Sequence, residues 1–105
     1  MTGFGISQGK GFHVTFENGW TVSVQFGPHN YCSNRSEIAG DYHEPVKRDG
    51  IAYWESQRSN NAEIAAWDAN GAWYVFNPED EFSETVKGWV SPDEVLAFMN
   101  EIASK

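Results

Sequence analysis

From Phe12 to Phe26 the chain alternates apolar and polar positions in two runs. Phe12, Val14 and Phe16 are spaced by His13 and Thr15. Trp20, Val22, Val24 and Phe26 are spaced by Thr21, Ser23 and Gln25. Successive side chains of a strand point to opposite faces, so each run predicts a strand with one apolar and one polar face. Asn18-Gly19 lies between them and predicts a tight hairpin with a two-residue type I′ turn, whose positive φ angles Asn and Gly tolerate. The polar face of His13, Thr15, Thr21, Ser23 and Gln25 reads as solvated or as part of a site.

A second turn signal, Asp68-Ala69-Asn70-Gly71, separates two more apolar runs. It predicts a second hairpin, Ile64 to Trp67 against Trp73 to Phe76, closed by Asn77-Pro78. Residues 51–57 and 85–90 read as short extended pieces. Phe4 and Ile6, in a glycine-rich and polar stretch, read as an edge segment or a loose terminus. Residues 28–50 have no clean period and are rich in Gly, Pro, Asn, Ser and Asp, with short strands conceivable near Ile38 or Val46. An irregular loop is expected there, and long loops in compact domains are often functional.

The period changes at Ser91. Ser91, Pro92 and Glu94 fit the N-cap, N1 and N3 positions of a capping box, and Asp93 suits the first turn. Val95, Phe98, Met99 and Ile102 then recur at helical spacing, with Leu96 and Ala103 alongside. A helix over 92–103 is predicted, with one broad apolar stripe. The fold class is therefore α+β: an antiparallel sheet built from hairpins, with one C-terminal helix packed on its aromatic face. The length, 105 residues, suits a single domain over 1–105.

Composition adds two points. Five Trp, seven Phe and four Tyr are more than a core of this size readily encloses, so some aromatics are expected outside. The 15 acidic against 7 basic residues give a net charge of −8. That argues against direct nucleic-acid binding, which needs cations to displace counterions, and against an anionic membrane surface. It permits a basic partner. The acidity is uneven: residues 1–35 carry +1, whereas residues 50–90 carry −5, with Glu79, Asp80, Glu81 and Glu84 the densest group. No run approaches the ~18 apolar residues of a membrane span, and no signal segment is visible, so the cytoplasm is the expected location.

Candidate chemistry is sparse. The single cysteine, Cys32, excludes an internal disulfide. His29 and Cys32 have ligand-like spacing, with Asp41, His43 and Glu44 nearby, but one such pair lacks the doubled spacing of zinc sites. No metal and no cofactor are expected. Cys32 with His13, His29 or His43 could make a thiol–imidazole pair, oriented by Asp41, but nothing in the spacing sets that geometry. The acids at 79–84 are too clustered for a tuned acid and base pair and lack calcium-loop spacing. The glycine pairs at 3–5 and 9–11 open no βα unit, so no nucleotide fingerprint is present.

The stretch from Phe12 to Gly27, followed by Asn30-Tyr31-Cys32, resembles small uncharacterised proteins encoded by bacterial viruses. Ala62 to Trp67, with Gly71 and Trp73-Tyr74, carries the same resemblance. It brings no catalytic motif. It implies binding to a host protein in the host cytoplasm, including inhibition of host defence.

Two functions from different classes follow as expectations. The first is a non-catalytic interaction protein, an inhibitor among the options. Its carboxylates Glu79, Asp80, Glu81 and Glu84 would supply field towards a basic protein surface, and Tyr31, Tyr42 or Trp54 would supply anchors. The alternative is a small enzyme, or a ligand- or metal-binding protein, using the 29–44 loop with His29, Cys32, Asp41 and His43. A homodimer through exposed sheet edges or aromatics is compatible with either.

Overall fold

The computed structural model of the protein describes residues 2–7, 10–27, 30–33 and 58–105. The strands expected near Ile38, Val46 and 51–57 lie outside the described residues, as does most of the 28–50 loop. The described chain forms strands β1 (Gly3–Ser7), β2 (Gly11–Thr15), β3 (Thr21–Gln25), β4 (Ala62–Trp67) and β5 (Lys87–Val90), then helix α1 (Pro92–Ala103). The strands make one antiparallel sheet in the order β1-β2-β3-β4-β5. This is the α+β architecture that the pattern predicts.

Pairing places Val14 opposite Val22 and Val22 opposite Ala66, and Phe12 opposite Val24 and Val24 opposite Ile64. These residues share one face. Helix α1 lies on that face across β3 and β4. Its Val95, Phe98 and Ile102 join Val14, Val22, Val24, Ala62, Ile64, Ala66 and Val90 in the buried cluster, ringed by Phe12, Phe16, Trp20 and Phe26. Ser91 caps α1 by accepting the Glu94 N–H at 3.2 Å. The Glu94 carboxylate meets the Ser91 hydroxyl at 3.1 Å, which replaces the reach to the cap's backbone in the usual capping box. Leu96, expected beside the apolar stripe, faces solvent instead.

The first turn differs from the predicted type I′. Phe16 donates to the Trp20 carbonyl and Gly19 to the Phe16 carbonyl, so the loop has three residues, Glu17, Asn18 and Gly19. Only Gly19 takes a positive φ, of 90°. That is the pattern of a type I turn closed by a left-handed glycine. Asn18 is thereby free to reach across the molecule. Its Nδ2 donates to the carbonyls of Ile102 at 2.8 Å and Lys105 at 3.3 Å, while its Oδ1 accepts the Trp20 N–H at 3.0 Å. The hairpin tip satisfies carbonyls at the end of α1, whose last turn holds no basic residue.

The second predicted hairpin is only begun. Asp68 accepts the backbone N–H groups of Asn70 and Ala72, and Trp67 bridges to Trp73. The Tyr74 N–H still donates to the Ala66 carbonyl at 2.9 Å, and the chain leaves β4 after it, with Tyr74 and Phe76 each packed on Phe98 at ring centres 5.3 Å apart. Strand β5 takes the vacated edge of β4.

The other face of the sheet carries structural hydrogen bonds. Gln25 reaches over Gly11 to Ser7 at 2.9 Å and bonds Ser23 at 3.0 Å, and Thr15 meets Thr21 at 2.8 Å. Gly11 has φ 153°, and a Cβ there would strike the Val24 carbonyl. Gly5 leaves room for the ring of His13.

Candidate interaction surface

The chain between Phe76 and Glu84 forms a closed loop. Its ends are joined by the Phe76 N–H donating to the Glu84 carbonyl at 2.9 Å. Asn77 ties the interior. Its Nδ2 donates to the Phe82 carbonyl at 2.9 Å and to Asp80 Oδ2 at 3.1 Å, and its Oδ1 accepts the Glu84 N–H at 2.6 Å. One amide side chain thus latches three places on the loop. Asn supplies both donors and an acceptor at short reach, which a carboxylate could not do.

The latched loop presents Glu79, Asp80, Glu81 and Glu84 to solvent. Among the described residues, none of these carboxylates lies within ion-pair distance of a basic side chain. Phe82 stands in their midst, 79 % exposed. Further along, Val86 and Trp89 are exposed as well, Trp89 by 56 %. A fully extended chain from Phe82 to Trp89 spans at most about 25 Å, so the whole run fits the footprint of one ordinary protein interface.

Trp89 has φ 58°, a left-handed backbone that a residue with a Cβ adopts at a cost of about 1 kcal/mol or more. Its N–H donates to the Tyr31 carbonyl at 2.8 Å. Gly88 beside it allows the approach, since a Cβ there would strike Tyr31. The Tyr31 N–H donates in turn to Glu63 at 2.9 Å, and Asn30 bonds the same carboxylate at 3.3 Å. The Tyr31 ring is 51 % exposed, so two half-exposed aromatics, Tyr31 and Trp89, lie on neighbouring chain segments at the β5 end of the sheet.

Of the expected anchors, Tyr31 is at the surface, whereas Tyr42 and Trp54 lie outside the described residues. His29, Asp41 and His43 of the alternative site lie outside them too. Cys32 is buried, with its sulfur directed at the carbonyls of Gly27 and Asn30 at 3.4 and 3.6 Å. His13, the other histidine considered for a thiol pair, is on β2, with Nδ1 3.4 Å from Ser7 Oγ. Among the described residues no three His, Cys, Asp or Glu side chains gather as a metal site, and no helix is long and apolar enough to cross a membrane. Phe82 is a surface residue that the sequence reasoning did not single out. The signal for Phe82 was an aromatic set inside an acidic run, with Glu79, Asp80 and Glu81 before it and Glu84 after it.

A concavity lies elsewhere among the described residues. It is an open groove of about 410 Å³ where β2, β3 and the start of α1 meet, lined by Phe12, Val24, Phe26, Ala62, Val90 and Val95, with Arg58 at its polar rim. No family model, curated protein sequence or solved structure matches the chain.

Proposed function

We propose that this chain is a non-catalytic interaction protein that binds a basic protein surface through the acidic, aromatic run from Glu79 to Trp89. One observation carries the reading: Phe82 is held out to solvent among four carboxylates that meet no basic side chain among the described residues, by a loop that Asn77 latches. An exposed Phe gains most of its binding energy when a partner covers it, and carboxylates around it steer and orient a basic partner. A latched loop loses little conformational freedom on binding, which leaves more of that energy as affinity. A basic surface of this kind is often built for nucleic acid, and a protein that covers it acts as an inhibitor. The resemblance to small proteins of bacterial viruses points the same way.

The test offers the immobilised protein to a bacterial lysate at low and high salt, with mass spectrometry of what is retained. One variant carries Glu79→Lys, Asp80→Lys, Glu81→Lys and Glu84→Lys, and a second carries Phe82→Ala. The expected result is a partner weakened by salt and lost in both variants. A partner retained equally by both variants overturns the proposal. Retention of nothing at either salt also overturns it and directs ligand screening to the groove beside Arg58.

A further inference from the structure

We infer that β1 is the seam of a reversible homodimer, in which two copies pair edge to edge about a two-fold axis through Gly5. Strand β1 ends the sheet, and one side of its backbone meets no other strand among the described residues. Natural edge strands are guarded by Lys, Pro, bulges or inward charges. Gly3-Phe4-Gly5-Ile6-Ser7 has no charge and no proline.

Phe4 and Ile6 are both 87 % exposed, although they stand in register with Val14 and Phe12 on the face that carries the core. The reason is the placement of α1, which lies over β3 and β4, two and three strands away from β1. The strand is apolar where no other described strand or helix covers it.

A second copy is the occupant that this strand fits, for two reasons. Antiparallel pairing about Gly5 sets Phe4 opposite Ile6 of the second copy, and Ile6 opposite its Phe4. Gly5 then faces Gly5, and Gly3 faces Ser7. Large apolar side chains meet on one face and small residues on the other, so the strand complements itself. Charge gives the second reason. In a chain of net charge −8, residues 1–16 carry Lys10 and no acid, so neither β1 nor β2 sets a carboxylate against the second copy. The product is a continuous ten-stranded sheet with both helices on one side and the four apolar side chains in a ridge between them.

Two side chains and a five-residue strand cover less than the ~800 Å² per partner of a stable complex. The dimer therefore forms and dissociates with concentration. Sedimentation velocity from low-micromolar to millimolar protein is expected to show the mass doubling. Amide exchange at Phe4 and Ile6 should slow over the same range, a change that contact elsewhere would not produce. Ile6→Lys places a charge on the seam outside the buried cluster. It should leave the circular dichroism unchanged and weaken the dimer roughly tenfold or more. Leu96→Ala, at an exposed apolar site on α1, should leave the dimer as it is. A monomer at every concentration, or a dimer indifferent to Ile6→Lys, overturns the inference.

Discussion

Removing the Asn77 side chain separates the loop's latch from the fold's stability. Asn77→Ala deletes the bonds to the Phe82 carbonyl, to Asp80 and from the Glu84 N–H, at 2.9, 3.1 and 2.6 Å. All three are exposed to water, so each contributes about 0.5 kcal/mol, the low end for a protein hydrogen bond. Together they hold the loop closed by about 1–2 kcal/mol, and that difference changes a local opening equilibrium about 5–30-fold. The reporter is the Phe76 amide, whose partner is the Glu84 carbonyl and not the deleted side chain. Its hydrogen exchange should accelerate by that factor. Chymotrypsin should cut after Phe82 faster by a similar factor, because opening frees the flanking backbone. The global melting temperature should fall much less than the loss of a buried residue would lower it, since an open loop leaves the cluster around Val22 and Ile102 intact. Asn77→Asp should do at least as much damage, because it keeps the acceptor for Glu84 but turns a carboxylate towards Asp80 and the Phe82 carbonyl. Unchanged exchange at Phe76 together with unchanged cleavage after Phe82 would refute the latch.

Three further outcomes are expected. Ile102→Ala, at a fully buried site, should destabilise the fold by about 2–5 kcal/mol in urea titration, well beyond the effect of any change in the 77–84 loop. Asn18→Ala should lower stability by about 1–2 kcal/mol, mainly through the lost bond to the Ile102 carbonyl, with faster exchange in the last turn of α1 as its local sign. Tyr74 has its pKa raised above 10.0 by its hydrogen bond to Glu101, by burial and by the charge of Glu101. Its contribution to stability is thus fully present below the ordinary tyrosine pKa and is lost as pH rises through the higher folded value. In Glu101→Gln, phenolate absorbance should report a Tyr74 titration moved back towards the ordinary range.

The helix was legible because its signals are local: Ser91, Pro92 and Glu94 mark the start, and the stripe from Val95 to Ile102 marks the face. The first hairpin was legible for the same reason, but its turn type was not. The choice between a two- and a three-residue loop accompanies Asn18 bonding to a carbonyl 84 residues away, which no local pattern contains. Trp73 to Phe76 form an apolar run long enough for a strand, yet the pairing stops at Tyr74, and Phe76 packs with Tyr74 on Phe98. At the surface the limit was different. The acidic run at 79–84 was visible as charge, whereas the exposure of Phe82 depends on hydrogen bonds made by Asn77, and the exposure of Phe4 and Ile6 depends on which strands α1 covers. Among the four carboxylates, Tyr31 and Phe82, composition named the class of surface and tertiary placement decided which aromatic stands in it.

The position of α1 after all the strands it packs against has a consequence for biosynthesis. A ribosome delivers β1, β2 and β3 in one stretch from Gly3 to Gln25, and these strands can meet through short closures. Their apolar face then waits, because Val95, Phe98 and Ile102 come last and Asn18 cannot engage the Ile102 carbonyl until residue 102 has emerged. Through that interval the nascent sheet shows Val14, Val22 and Val24 to its surroundings, beside the unguarded strand of Phe4 and Ile6. Through this interval the apolar face and strand edge are open to other chains, and the helix ends the exposure of the face by closing over the sheet.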